Sequence, residues 1–138
     1  MPEKTTSSQG QSSTTSSYSG TCGPNARWTL NSGTLIIEGA GDMTDYTSEE
    51  AVPWSSHRNS IRAIIIRDGI TSVGDYAFSY CSSATSVTFG NTVQRIGSHG
   101  FFHCSSLLTV VFPPSVRTIG DYGFAYCTSL TSVSWADQ

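Results

Sequence analysis

The chain has 138 residues, of which 37% are hydrophobic and only 12% charged, with a net charge of −3. That length suits one domain with a modest core and leaves little room for a multidomain enzyme. The weak acidity and the absence of any run of Lys or Arg argue against a nucleic-acid or anionic-membrane surface, and the longest purely apolar run, Ala63 to Ile66, is far too short to span a membrane.

Residues 1–21 are dominated by Ser, Thr, Gln and Gly, with almost no apolar content beyond Tyr18. Such a segment cannot bury enough surface to offset its ordering entropy and is expected to be a disordered Ser/Thr-rich leader. In a secreted protein it would be a target for O-glycosylation. Met1-Pro2-Glu3-Lys4 leads into Ser and Thr instead of an apolar stretch, so no signal peptide is visible. None of Asn25, Asn31, Asn59 and Asn91 has the spacing of an N-glycosylation acceptor.

Residues 22–60 carry apolar structure of a different kind. Arg27 to Leu30 and Thr34 to Glu38 flank Asn31-Ser32-Gly33, which predicts a β-hairpin. A loop from Gly39 to Tyr46 follows, and then Pro53-Trp54.

Residues 61–138 are organised by a repeat. Cys81, Cys104 and Cys127 are each 23 residues apart, and the whole segment falls into register at that period without a gap. Arg62 to Ala84, Thr85 to Leu107 and Leu108 to Leu130 are three full units, and Thr131 to Trp135 starts a fourth strand. One inward column reads Ile64, Val87, Val110, Val133, and the next Ile66, Phe89, Phe112, Trp135. Phe78, Phe101 and Phe124 form another, and Gly74, Gly97 and Gly120 a glycine column. Each unit reads as a short strand, a turn, and a compact helical or 3₁₀ segment at positions such as Asp75-Tyr76-Ala77-Phe78. One unit cannot bury its apolar side, whereas stacked units bury a continuous core. The expected architecture is an α/β repeat solenoid, right-handed by the rule for parallel crossovers. Its sheet is parallel, with one strand per repeat, and is preceded by an N-terminal β-hairpin cap in which Trp28, Met43 and Trp54 cover the open core.

The run Ile119-Gly120-Asp121-Tyr122-Gly123-Phe124-Ala125-Tyr126-Cys127-Thr128-Ser129-Leu130, with Val110-Val111-Phe112-Pro113, resembles the BspA-type leucine-rich repeats of bacterial and protozoan surface proteins. The likeness covers Ile61 to Trp135. It departs from the common leucine-rich signature, in which Asn or Cys follows the strand, since Ser115 occupies that offset. The resemblance implies a leucine-rich-repeat solenoid in a non-catalytic binding or adhesion module, extracellular or at the cell surface. Its partners would be host or neighbouring-cell proteins, matrix glycoproteins among them. The block at 22–60 is similar to the N-terminal caps of such proteins. No matching C-terminal cap follows Trp135, so either the chain is a fragment of a longer array or a partner covers that end. In the alternative function, as a structural spacer or self-assembling fragment, Val133 and Trp135 would form a homo-oligomer edge.

The chemistry-bearing residues point the same way. The column Cys81, Cys104, Cys127 is best read as buried small hydrophobes bonding backbone carbonyls, and Cys22 has no assignable partner. His99 and His103 have ligand spacing but no third ligand. In the repeat register they fall between tyrosines, giving an outer aromatic strip of Tyr76, Tyr80, His99, His103, Tyr122 and Tyr126. Asp75 and Asp121 read as turn or cap positions. No nucleophile elbow or phosphate loop is present, so no catalytic residue, metal or cofactor is assigned. What remains is the outward face of the sheet. Its candidate binding residues are Ile65, Ser86, Thr88, Thr109, Val111, Ser132 and Ser134, small or β-branched and uncharged.

Overall fold

A computed structural model describes residues 17–136. A seven-stranded sheet runs in the order β1-β2-β3-β5-β7-β9-β11 and a four-stranded one in the order β10-β8-β6-β4. The larger sheet is made by β1 (Ser17–Thr21), β2 (Ala26–Asn31), β3 (Thr34–Gly39), β5 (Ala63–Ile66), β7 (Ser86–Phe89), β9 (Thr109–Phe112) and β11 (Ser132–Trp135). The smaller is made by β4 (Gly41–Asp42), β6 (Ile70–Val73), β8 (Arg95–Ile96) and β10 (Thr118–Ile119). From β3 onward the large sheet is parallel, and Ile64 pairs with Val87 and Val110 with Val133, one repeat period apart. The inward columns meet between the two sheets. Ile64, Ile66, Ile70, Val73, Phe78, Ile96, Phe101 and Leu107 are all at most 1% exposed.

The repeat geometry reaches further toward the N-terminus than its sequence shows. β3 pairs parallel to β5 with Leu35 opposite Ile64 and Ile37 opposite Ile66, and β4 pairs parallel to β6. Residues 34–60 therefore form a diverged unit. Its extra length lies in a loop with two short 3₁₀ turns, Glu49–Ala51 and Ser55–Ser60. The expected hairpin is β2–β3, antiparallel with Asn31 opposite Thr34. Trp28, Met43 and Trp54 are buried with it.

Two expectations need correction. Ser17–Thr21, placed in the leader, is strand β1, antiparallel to β2 with Tyr18 opposite Leu30. Tyr18 stacks on His57 at 4.0 Å, and Gly20 lies so close to the Trp28 indole that a Cβ would stand 2.8 Å from Nε1. These two contacts hold a polar segment that composition alone would leave unordered. The rest of the leader, residues 1–16, lies outside the described residues.

The second correction concerns the segment after each glycine, which is a chain of turns. Among the described residues there is no α-helix. Alternate N–H groups close tight turns, from Ala77 to the Gly74 carbonyl, Ser79 to Tyr76 and Cys81 to Phe78. The intervening N–H groups point to the next unit, from Tyr76 to the Ser98 carbonyl (3.0 Å), Phe78 to Gly100 (2.8 Å) and Tyr80 to Phe102 (2.7 Å). His99, Phe101 and His103 repeat the pattern toward Asp121, Gly123 and Ala125. This division of donors is achieved by left-handed backbone at Tyr76, Tyr80, His99, His103, Tyr122 and Tyr126, with φ between 58° and 63°. Such a conformation at the third position of a turn normally calls for Gly or Asn.

Candidate functional site

The outward residues of the large sheet form two rows. Ala63, Ser86, Thr109 and Ser132 lie in one, and Ile65, Thr88, Val111 and Ser134 in the other. Ser86, Thr88, Thr109, Val111, Ser132 and Ser134 are exposed, and Ile65 is half-buried. Val111 is 50% exposed, the most exposed large apolar side chain on this face of β5 to β9. None of these positions carries a charge. Charged groups flank the face, Arg62 at the N-terminal lip of β5 and Arg67 at the C-terminal lip, where it pairs with Glu38 at 3.6 Å. There the Asp68 carboxylate accepts the Asn91 N–H at 2.7 Å.

The face is not uniform. β5 with β7 and β9 with β11 pair across four residues each, but β7 and β9 register only at Ser86 and Thr109. Beyond β5 and β11 the next residue continues the ladder, whereas beyond β7 Gly90 makes no such bond although β5 and β7 stay paired across four residues. Arg67 N–H reaches the Ile37 carbonyl at 2.9 Å, and Ala136 N–H the Phe112 carbonyl at 2.8 Å. The equivalent position beyond β9 is Pro113, which has no N–H to offer Phe89. The β7–β9 register already ends after Ser86 and Thr109, and Val87 and Phe89 are 8% exposed where Ile64 and Ile66 are 1% exposed.

Two shallow depressions lie at this end of the sheet and adjoin over β7. One, of about 280 Å³, is lined by Val87, Thr88, Phe89, Asn91, Val111, Pro113 and Ala136. The other is lined by Ile65 to Asp68 and Thr88 to Asn91. Thr88, Phe89 and Asn91 belong to both. Sequence reading selected Ile65, Thr88 and Val111 but missed Phe89, Asn91 and Pro113. The missed signal was a proline at a strand exit where other units carry Arg67, Gly90 or Ala136.

The aromatic side chains expected on the outer strip form two stacks. Tyr76, His99 and Tyr122 lie with centroids 4.7 and 5.0 Å apart, and Tyr80, His103 and Tyr126 at 4.9 and 5.5 Å. Phe102 stands between the stacks, edge-on to Tyr80 at 5.6 Å and Tyr126 at 5.5 Å. It had not been singled out, although its column otherwise holds only Ser79 and Ala125. The imidazoles are thus packed between phenols, and His99 Nδ1 is 3.0 Å from Ser98 Oγ. Among the described residues no three His, Cys, Asp or Glu side chains converge in a metal-binding group.

The cysteine column lies inside. Cys104 Sγ donates to the Phe78 carbonyl and Cys127 Sγ to that of Phe101, each at 3.2 Å. Asp75 accepts the Ser98 N–H at 2.8 Å, as Asp45 accepts that of Asp75 at 3.0 Å. These carboxylates cap the following unit's backbone. At the far edge, Val133 and Trp135 are each 55% exposed although their columns are buried in earlier units.

No curated protein matches the chain. Among solved structures it is similar to a leucine-rich repeat protein from Eubacterium ventriosum, with 26% identity and a TM-score of 0.68 over 86% of this chain. The aligned region is 40% of that protein. A leucine-rich repeat protein from Bacteroides capillosus shares the fold at 17% identity and a TM-score of 0.60, over 86% of this chain and 99% of that one. Residues 56–138 match the model of the BspA type leucine-rich repeat region, in six copies, and the chain belongs to that family.

Proposed function

We propose that this chain is a non-catalytic binding and adhesion module of a secreted or cell-surface protein, a right-handed solenoid capped by its N-terminal hairpin. It engages host or neighbouring-cell proteins, matrix glycoproteins among them, through the outward face of the large sheet. The observation that carries the reading is the uncharged, partly apolar face across β5 to β11, with Val111 half exposed at its centre. A merely solvated sheet face has no need of Ile65 and Val111. Membership of a repeat family of protein-interaction modules supports it. The test is capture of individually purified matrix glycoproteins on a surface bearing the chain. Thr88→Glu with Val111→Glu should weaken capture. Unchanged capture would exclude this face, and no capture of any glycoprotein would end the adhesion reading.

A second reading, self-association through β11, is favoured by the exposure of Val133 and Trp135. Light scattering should then report a concentration-dependent dimer that Trp135→Lys abolishes. A monomer at all concentrations would leave the sheet face as the working surface.

A further inference from the structure

We infer that β11 receives the edge strand β1 of a second copy of this chain, so that copies assemble head to tail along the large sheet. The inference rests on the self-association reading and names the partner surface, which that reading leaves open.

The directions of the two outer strands agree. β1 is antiparallel to β2 and β2 to β3, whereas β3 to β11 are all parallel, so β1 and β11 point the same way. A copy moved along the sheet without rotation sets its β1 parallel to β11. It thereby continues the parallel ladder that already joins one repeat to the next. The side chains also match. Tyr18 and Gly20 stand opposite Leu30 and Trp28, both buried, just as Val133 and Trp135 stand opposite Val110 and Phe112. All four therefore face the core side of the sheet. With Tyr18 set against Val133, Gly20 falls against Trp135, and a residue without a side chain meets the bulky indole. The contact covers Tyr18, 41% exposed, and Val133 and Trp135, each 55% exposed. Neither edge is guarded. Ser17–Thr21 and Ser132–Trp135 hold no charge and no proline, the residues that commonly keep an open strand from pairing. Among the described residues no strand lies beyond either one.

The experiment is sedimentation velocity on the 138-residue chain across a range of concentrations, alone and with an excess of Trp135→Lys. The unsubstituted chain should grow past the dimer as concentration rises, because each added copy presents a fresh β11. Trp135→Lys alone should stay monomeric, yet its intact β1 should still take up an unsubstituted β11. In excess it should therefore cut the growing assemblies down to mixed dimers. Val133→Lys should do the same, and both positions are more than half exposed, so neither substitution opens the core. Hydrogen exchange reads the contact without any substitution, since amides of β1 and β11 should both slow as the unsubstituted chain assembles. Growth that stops at the dimer, assemblies that neither lysine variant shortens, or slowing confined to β11 would each overturn the inference. A closed dimer with slowing at β11 alone keeps self-association and sinks the β1 contact. A monomer at every concentration sinks both.

Discussion

Trp54 stacks on Phe78, with ring centroids 5.6 Å apart and planes 20° from parallel. The stack continues through Phe101 at 5.1 Å and Phe124 at 4.9 Å. Trp54 also donates its indole N–H to the Ala77 carbonyl at 2.9 Å. The diverged N-terminal unit is therefore joined to the regular ones by one fully buried side chain, with both an apolar and a polar contact across the junction.

Trp54→Ala should accordingly cost about 3–5 kcal/mol, the range for deleting a large buried aromatic. Trp54→Phe keeps a ring on Phe78 but leaves the Ala77 carbonyl without its donor, at a further cost of about 1–3 kcal/mol on top of the smaller ring. Urea unfolding separates the two. A Trp54→Ala loss below about 1 kcal/mol would mean the N-terminal unit and the repeats fold independently.

The left-handed backbone of the aromatic columns gives a different kind of test. His99 sits at φ 58° and is stacked on both sides by tyrosine rings. A non-glycine residue there costs about 1–2 kcal/mol of backbone energy, which offset-stacked rings partly recover at about 0.5–1.5 kcal/mol per pair. His99→Tyr should be close to neutral, since Tyr76 and Tyr122 hold the same conformation on either side. His99→Val should be clearly less stable than His99→Gly, because β-branching adds to the strain that glycine removes. The reverse order in thermal unfolding would refute the left-handed assignment at this position.

What could be read from the sequence follows from how local its causes are. The strands and core columns were legible because an inward residue every second position and a fixed 23-residue period leave one register that buries Ile64, Val87 and Val110 together. The turn segment was misread as helical because Asp75-Tyr76-Ala77-Phe78 has no glycine at the left-handed position. The conformation is instead supported by hydrogen bonds to the next unit, a cause visible only in the stack. The glycine column reflects a close approach between units, since a Cβ on Gly97 would stand 2.7 Å from the Asp75 nitrogen. The sheet-face residues were identified from alternation alone. The lost register between β7 and β9 was not, because alternation is the same in both strands. β1 was lost because its order depends on pairing with β2 and on the stacking of Tyr18 on His57, distant in sequence.

The cysteine column yields the last prediction. Burial pushes the Cys81 thiol from 9.0 to about 12, and does the same to Cys22. The neighbouring Cys127 thiol, together with burial, raises Cys104 well above its ordinary value, while Cys104 beside it lowers half-buried Cys127. Brief iodoacetamide treatment at mildly alkaline pH should therefore label Cys127 ahead of the other three, as read by peptide mass spectrometry. Stability carries the matching signature. A thiol raised on folding stays protonated in the native state while its unfolded counterpart ionises. Its contribution is thus complete below 9.0 and is lost as pH climbs toward 12. Cys81 should add a fall of at most about 1.4 kcal/mol per pH unit within that window. Cys81→Ala will be less stable at neutral pH, from the lost packing, but its stability should fall less steeply with pH. If urea unfolding from neutral to strongly alkaline pH gives identical slopes for the two proteins, the thiol is not held neutral by the core.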